Sequence, residues 1–190
     1  MTVAHFLAIT AHVVSLSIHA GAARTHFESP EGTPSRSRLI AALFLVFAFT
    51  SSRLLMIAPI NTTSAIAALV VYSLAARLFF SATYANRERP LTVAFTNDTP
   101  RHLVTAGPYG YIRHPFYASY CLTWLASAVA THNPVLVAVF LCMTLVYRYA
   151  ARFEECKFVK SELASEYARY RSLTGMFLPR WRAISKILYT

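Results

Sequence analysis

Between Arg101 and Tyr120 the chain reads RHLVTAGPYGYIRHPFYASY, and the residue types gathered there can do chemistry. A Gly107-Pro108-Tyr109 turn precedes His114, which is set between Arg113 and Pro115, and Tyr117 follows. Further on come Arg148, Arg152 and the acidic pair Glu154-Glu155. Steps of four and three residues put Arg148, Arg152 and Glu155 on one helical stripe, with Glu154 about a quarter of a circle away. An arginine can hold a carboxylate or phosphate in bidentate geometry. A glutamate can hold an ammonium or a pair of hydroxyls. Taken singly, these residues also fit an exposed ion-pair ladder and an interfacial aromatic belt. Neither of those needs a Gly-Pro turn or a histidine fixed between Arg and Pro, so the set points to a ligand site.

The elements that must position these groups are apolar helices. Of 190 residues 56% are hydrophobic and 14% charged, a balance outside the usual soluble mix and inside the membrane class. The predicted fold is an all-α polytopic membrane protein of about five spans, with a C-terminal amphipathic interfacial helix. Apolar blocks run over about 2–20, 39–58, 64–82, 115–130 and 134–147. The second and third, joined by the short turn 59–63, are expected to form a tight hairpin. The last two are somewhat short, which predicts a tilted or thinned hairpin, and Pro115 and Pro134 suit first helical turns. From Tyr147 the positions Phe153, Cys156, Val159, Leu163, Tyr167 and Tyr170 recur at helical steps. They predict a helix that continues the fifth block, lies along the interface and stops at Gly175. The whole is one domain, 1–190: three spans in 2–82, and a catalytic portion in 83–190. The long connector 83–114 fits disorder in its first half and function in its second.

Several function classes drop out. The net charge of +10 sits between and after apolar blocks rather than on one basic face, so topology explains it better than nucleic acid does. Cys121, Cys142 and Cys156 have no metal or disulfide spacing. His5, His12, His19 and His26 recur every seven residues, but the second and third blocks contain no histidine, so the stripe is expected to face other helices rather than a metal. Arg53 and Arg77, the charges inside the second and third blocks, can snorkel to headgroups, and Arg77 is also near enough to reach the long connector. The remaining Lys and Arg lie in the two long connectors and the tail, which places those segments in the cytosol.

The run LVTAGPYGYIRHPFY, followed by Asn133-Pro134, Glu154-Glu155 and Glu166-Tyr167-x-x-Tyr170, resembles the C-terminal signature of the isoprenylcysteine carboxyl methyltransferase family. That family belongs to a group of integral-membrane methyltransferases that includes the phospholipid N-methyltransferases. The resemblance covers about the last ninety residues. It implies an S-adenosylmethionine-dependent enzyme that esterifies the C-terminal carboxylate of a prenylated protein or small prenylcysteine; no GxGxxG occurs in the chain, so the soluble methyltransferase fold has no support from its glycine fingerprint. It further implies a site at the cytosolic face of the endoplasmic reticulum membrane, with membrane lipid around it and no metal. The cofactor contacts it implies are Arg101, His102, Leu103, Val104, Gly107, Tyr109, His114, Pro115, Phe116, Tyr117, Glu154 and Glu155. The catalytic residues it implies are Arg148, Arg152 and Glu155.

The chain departs from the family where a carboxylate-holding arginine is expected, about four residues ahead of the acidic pair. Ala150 and Ala151 stand there, so the role passes to Arg148 or Arg152. A C-terminal carboxylate is ionised at neutral pH and needs no base to accept a methyl group. An ammonium acceptor needs one, and that is the chemistry of the alternative, a phospholipid or other small-lipid methyltransferase. Membrane sterol reductases share an Arg-His-Pro-x-Tyr segment, but Phe116 and the Gly-Pro-Tyr turn favour methyl transfer over NADPH. A scaffold that kept the motif without catalysis is the non-enzymatic reading.

Overall fold

The computed structural model describes residues 2–25, 27–28, 33–87, 91–92, 95–96, 99–100 and 102–180. Six α-helices follow in order: α1 Val3–Thr25, α2 Ser35–Ile57, α3 Thr62–Ala85, α4 Pro115–Thr131, α5 Pro134–Val159 and α6 Ala164–Leu173. A 3-10 turn at Gly107–Gly110 precedes α4. Phe27–Glu28 (β1) and Leu91–Thr92 (β2) make a two-residue parallel pairing that ties the two long connectors together. Helices α1, α2, α3 and α5 are long and apolar enough to cross a bilayer, and the chain is an all-α polytopic membrane protein.

Local chemistry sets the helix starts. Asn61 accepts the Ser64 amide at the head of α3, and Asn133 accepts the Val135 amide at the head of α5, each satisfying an amide that has no intrahelical partner. Pro115 and Pro134 occupy first-turn positions, where a missing N–H costs no hydrogen bond.

α4 is the central helix. It packs against α1, α2, α3 and α5, and small residues line its contacts: Ala118, Ser119, Ala126, Ser127, Ala128 and Ala130 are all buried. In lipid, helices gain little hydrophobic drive from meeting, and small residues let backbones approach closely enough for dispersion to hold them. Trp124 is fully buried, edge-on to Phe44 of α2, with its indole N–H directed at the Tyr147 hydroxyl of α5.

Three expectations are corrected. α2 and α3 do not form a tight hairpin: α1 packs against both, while they scarcely touch each other. His12 explains the insertion, because its ring bridges Ser51 of α2 and Tyr72 of α3 at 2.8 and 2.9 Å. A short loop constrains the helix ends and leaves room between the axes for a third helix. The fifth block is not short, since α5 runs unbroken for 26 residues, about 39 Å at the α-helical rise. Nor does the tail continue it as one helix. The chain turns at Lys160–Leu163, where Ser161 Oγ accepts the Leu163 amide, and α6 folds back until Phe158 and Tyr167 stack at 4.8 Å.

Described residues in the first half of the long connector are anchored to the bundle, against the expectation from composition. Asn86, Phe95 and Thr96 are buried, and Phe95 packs on Phe153 at 4.8 Å, with the Arg36 guanidinium over both rings. His5 and His12 bond to other helices and His19 packs between Phe79 and Tyr120. His26 lies outside the described residues.

Candidate functional site

The C-terminal ends of α3 and α5 and the N-terminal end of α4 meet at one end of the bundle, and the Leu103–His114 segment closes over them. Gly107 adopts φ +57°, and a Cβ there would sit 3.5 Å from the Ala85 Cβ, so glycine lets the 3-10 turn lie against α3. Tyr109 plugs the turn into the bundle beside Phe79, Ala82 and Phe116. Its hydroxyl accepts from Asn86 at 2.8 Å, and its carbonyl accepts from the Tyr170 hydroxyl at 2.8 Å. Burial raises the Tyr109 phenol above its ordinary pKa, so it stays neutral.

A backbone strap holds the next residues. The Arg113 amide donates to Gly175 O at 2.8 Å, the Gly175 amide to Tyr111 O at 3.1 Å, and the His114 amide to Met176 O at 3.1 Å. A Cβ on Gly175 would overlap the Leu178 carbonyl oxygen, so the strap requires glycine. Pinned this way, Arg113 turns inward, donates Nε–H to Glu155 Oε1 at 2.7 Å and reaches the Thr174 carbonyl at 2.5 Å.

His114 faces both acids. Nε2 lies 3.3 Å from Glu155 Oε1, and Nδ1 lies 3.5 Å from Glu154 Oε2. Only the imidazolium can donate to both sides. Burial by itself would lower the His114 pKa, but the two carboxylates outweigh it and hold it above the usual histidine value. Glu154 accepts from the Tyr117 hydroxyl at 2.6 Å and keeps its side chain 30% exposed.

These groups border a cavity of about 120 Å³ whose walls include His102, Leu103, Val104, Tyr109, His114, Pro115, Phe116, Tyr117 and Glu154. All nine come from the expected cofactor set. Gly107 lines a neighbouring groove instead, Glu155 anchors Arg113 and His114 behind the wall, and Arg101 lies outside the described residues. Arg148 and Arg152 are not brought to the cavity; both are exposed, because buried Ala150 and Ala151 present the inner face of α5 at that level.

Arg113, Tyr167, Tyr170, Phe158 and Asn86 complete the site and were not among the expected site residues. The Arg-His-Pro and Tyr-x-x-Tyr motifs carried a signal for the first three, whereas nothing in the sequence singled out Phe158 or Asn86. Tyr167 Oη is buried without a hydrogen-bond partner. It feels the Glu155 charge, and burial first and that charge second raise its pKa.

A profile of the phospholipid methyltransferase family matches residues 62–165, from the start of α3 into α6. The chain belongs to the phospholipid methyltransferase family. It is thus an integral-membrane methyltransferase, and membership implies a methyl donor of the S-adenosylmethionine kind. No curated protein matches the chain. The matched span holds α3, α4 and α5, together with the 3-10 turn and the Arg113–Glu155 pair, and Tyr167 and Tyr170 of the cavity wall lie just beyond it.

The cavity of this family member fits the polar part of such a donor. Glu154 offers a carboxylate for an ammonium or ribose hydroxyls, the unpartnered Tyr167 hydroxyl offers a donor, and Phe116 and Tyr117 offer aromatic surface. The enclosed volume is below the roughly 300 Å³ at which small-molecule pockets begin, so it has room for only part of a donor of that size. Leu103 and Val104 line both the cavity and the larger groove beside it, so the two share a wall.

Proposed function

We propose that the chain transfers the methyl group of S-adenosylmethionine to an amine in the headgroup of a membrane lipid. The observation that supports this acceptor is Glu154, the carboxylate on the cavity wall. Arg113, on the same wall, is already bonded to Glu155 and Thr174. An ammonium acceptor is attracted by a carboxylate and must give up a proton before its lone pair can attack. A carboxylate acceptor is repelled by one and calls for an uncommitted guanidinium.

The donor supplies a methyl group on a positively charged sulfur, open to in-line displacement. The chain's own residues set the stage. Tyr117 fixes one oxygen of Glu154, His114 faces the other, and Glu154 accepts the proton that the acceptor ammonium gives up before its nitrogen lone pair attacks the methyl group. Leu103, Val104, Phe116 and Phe158 exclude water, which strengthens each of these interactions. The Arg113–Glu155 pair and the Gly175 strap keep the wall rigid, so positioning carries the rate.

A second reading is methyl esterification of a prenylated cysteine, on a protein or as a small molecule. The ordered motif from Leu103 to Tyr117 with Glu154-Glu155 favours it. It requires Arg148 or Arg152 to swing inward from the outer face of α5 and Glu155 to act at the reacting end. The clustering of Lys and Arg in the long connectors supports a cytosolic site under either reading, and an endoplasmic reticulum location belongs to the same proposal.

The test is to give methyl-labelled S-adenosylmethionine to membranes that carry the protein, phosphatidylethanolamine and a farnesylated cysteine analogue. Base-stable label in phospholipid supports the amine reading. A base-labile ester on the cysteine analogue supports the second, and label in neither, with the donor bound, overturns both.

A further inference from the structure

The two arginines inside the apolar spans have different surroundings. Arg53 of α2 is exposed and lines no described groove, so it is free to snorkel to headgroups. Arg77 of α3 lines an open groove of about 1510 Å³ with Leu74, Phe80, Tyr84, Leu103 and Val104. It lies eight residues before the end of α3 at Ala85, about 12 Å down the helix axis. No hydrogen bond or ion pair holds it among the described residues. The described lining contains no carboxylate, and a second guanidinium, Arg87, stands over the Tyr84 ring at 4.2 Å near the upper end.

A charge at such depth is costly unless it meets an opposite charge or water. Apolar walls with Leu74 and Phe80 about half exposed suit an acyl or prenyl chain, and the guanidinium suits an anion. Leu103 and Val104 also border the methyl-transfer cavity, so the groove and the cavity adjoin at these two side chains.

We infer that Arg77 binds the anionic group of the acceptor, a phosphate or carboxylate on an amphiphile whose chain lies in the α3 groove. The inference rests on the methyl-transfer reading for the word acceptor, while the binding itself stands apart from catalysis. Arg77 thereby selects acceptors that carry an anion, and it acts as a specificity residue.

The experiment measures binding of dodecyl phosphate, laurate and uncharged dodecanol to the full chain in neutral detergent, by calorimetry. A charge-assisted bidentate contact predicts that one or both anions bind about tenfold or more tighter than dodecanol. Phosphate over laurate identifies a phospholipid-like anion, and laurate over phosphate a carboxylate. Arg77→Ala should abolish the preference with dodecanol binding intact, Arg77→Lys should keep part of it, and Arg53→Ala should keep all of it. A preference that survives Arg77→Ala, or one that Arg53→Ala removes equally, overturns the assignment. Loss of methyl transfer in every assay with the preference intact would count against the proposed reaction and leave the anion site standing.

Discussion

Two histidines with partners on both ring nitrogens separate the middle of this bundle from its working end. His12 sits among α1, α2 and α3 and meets neutral hydroxyls on both nitrogens. Ser51 donates its own proton to Ala48 O, so it accepts from His12 Nε2–H, and Nδ1 accepts from Tyr72. Every valence is closed, and the histidine is a neutral rivet. His114 meets carboxylates on both nitrogens instead, within a cluster of Arg113, Glu154 and Glu155, and the outer carboxylate remains open to a cavity. Burial and a full set of partners therefore describe both clusters. What distinguishes the functional one is charge with a face left over.

That contrast can be attacked by mutation. The largest effect is expected from Glu155→Ala, which leaves Arg113 buried without its partner; removing one half of a buried ion pair costs about 3–5 kcal/mol. Thermal unfolding in detergent should show a severe loss, and a shift of a degree or two would mean the pair is dispensable. Glu154→Gln keeps an acceptor for Tyr117 but removes the open charge. It should lower methyl transfer about 10²-fold or more with little change in unfolding temperature. His12→Ala should do the reverse, costing about 1–3 kcal/mol through the orphaned Tyr72 hydroxyl while donor affinity stays the same.

The smallest effect is in pH. The folded-state pKa of His114 lies above the unfolded value, so its stabilisation is complete below about 6.5 and is lost as pH rises through the higher folded value. Stability should fall on the alkaline side in the wild type, and more gently in His114→Gln.

Much of this was legible in the sequence, for identifiable reasons. Lipid demands long apolar helices, so the spans stood out, and Asn133-Pro134 and Pro115 marked their starts. The Leu103–Tyr117 run and Glu154 were legible as one site because turn residues and charges are conspicuous in an apolar chain. Helix order in space was not legible. Nothing in the turn 59–63 reports that α1 enters between its neighbours; that depends on His12 finding Ser51 and Tyr72, 39 and 60 residues away. The inner and outer faces of α5 were equally hidden, since Arg148, Arg152 and Glu155 share a stripe by spacing, yet Glu155 alone of the three is buried. Its partner Arg113 lies 42 residues upstream and turns inward because a glycine strap from the tail fixes its backbone. Phe95 and Asn86 sat in a polar stretch whose average hid two buried anchors.

The central claim is that the methyl donor binds where the α4 start meets Glu154. Photo-crosslinking with a radiolabelled azido derivative of S-adenosylmethionine, followed by peptide mapping of the full chain in lipid nanodiscs, tests it directly. The account predicts label confined to 102–117 and 154–170 and competed away by unlabelled donor. Competed label on α1 or α2 instead, or none on either stretch, would contradict it.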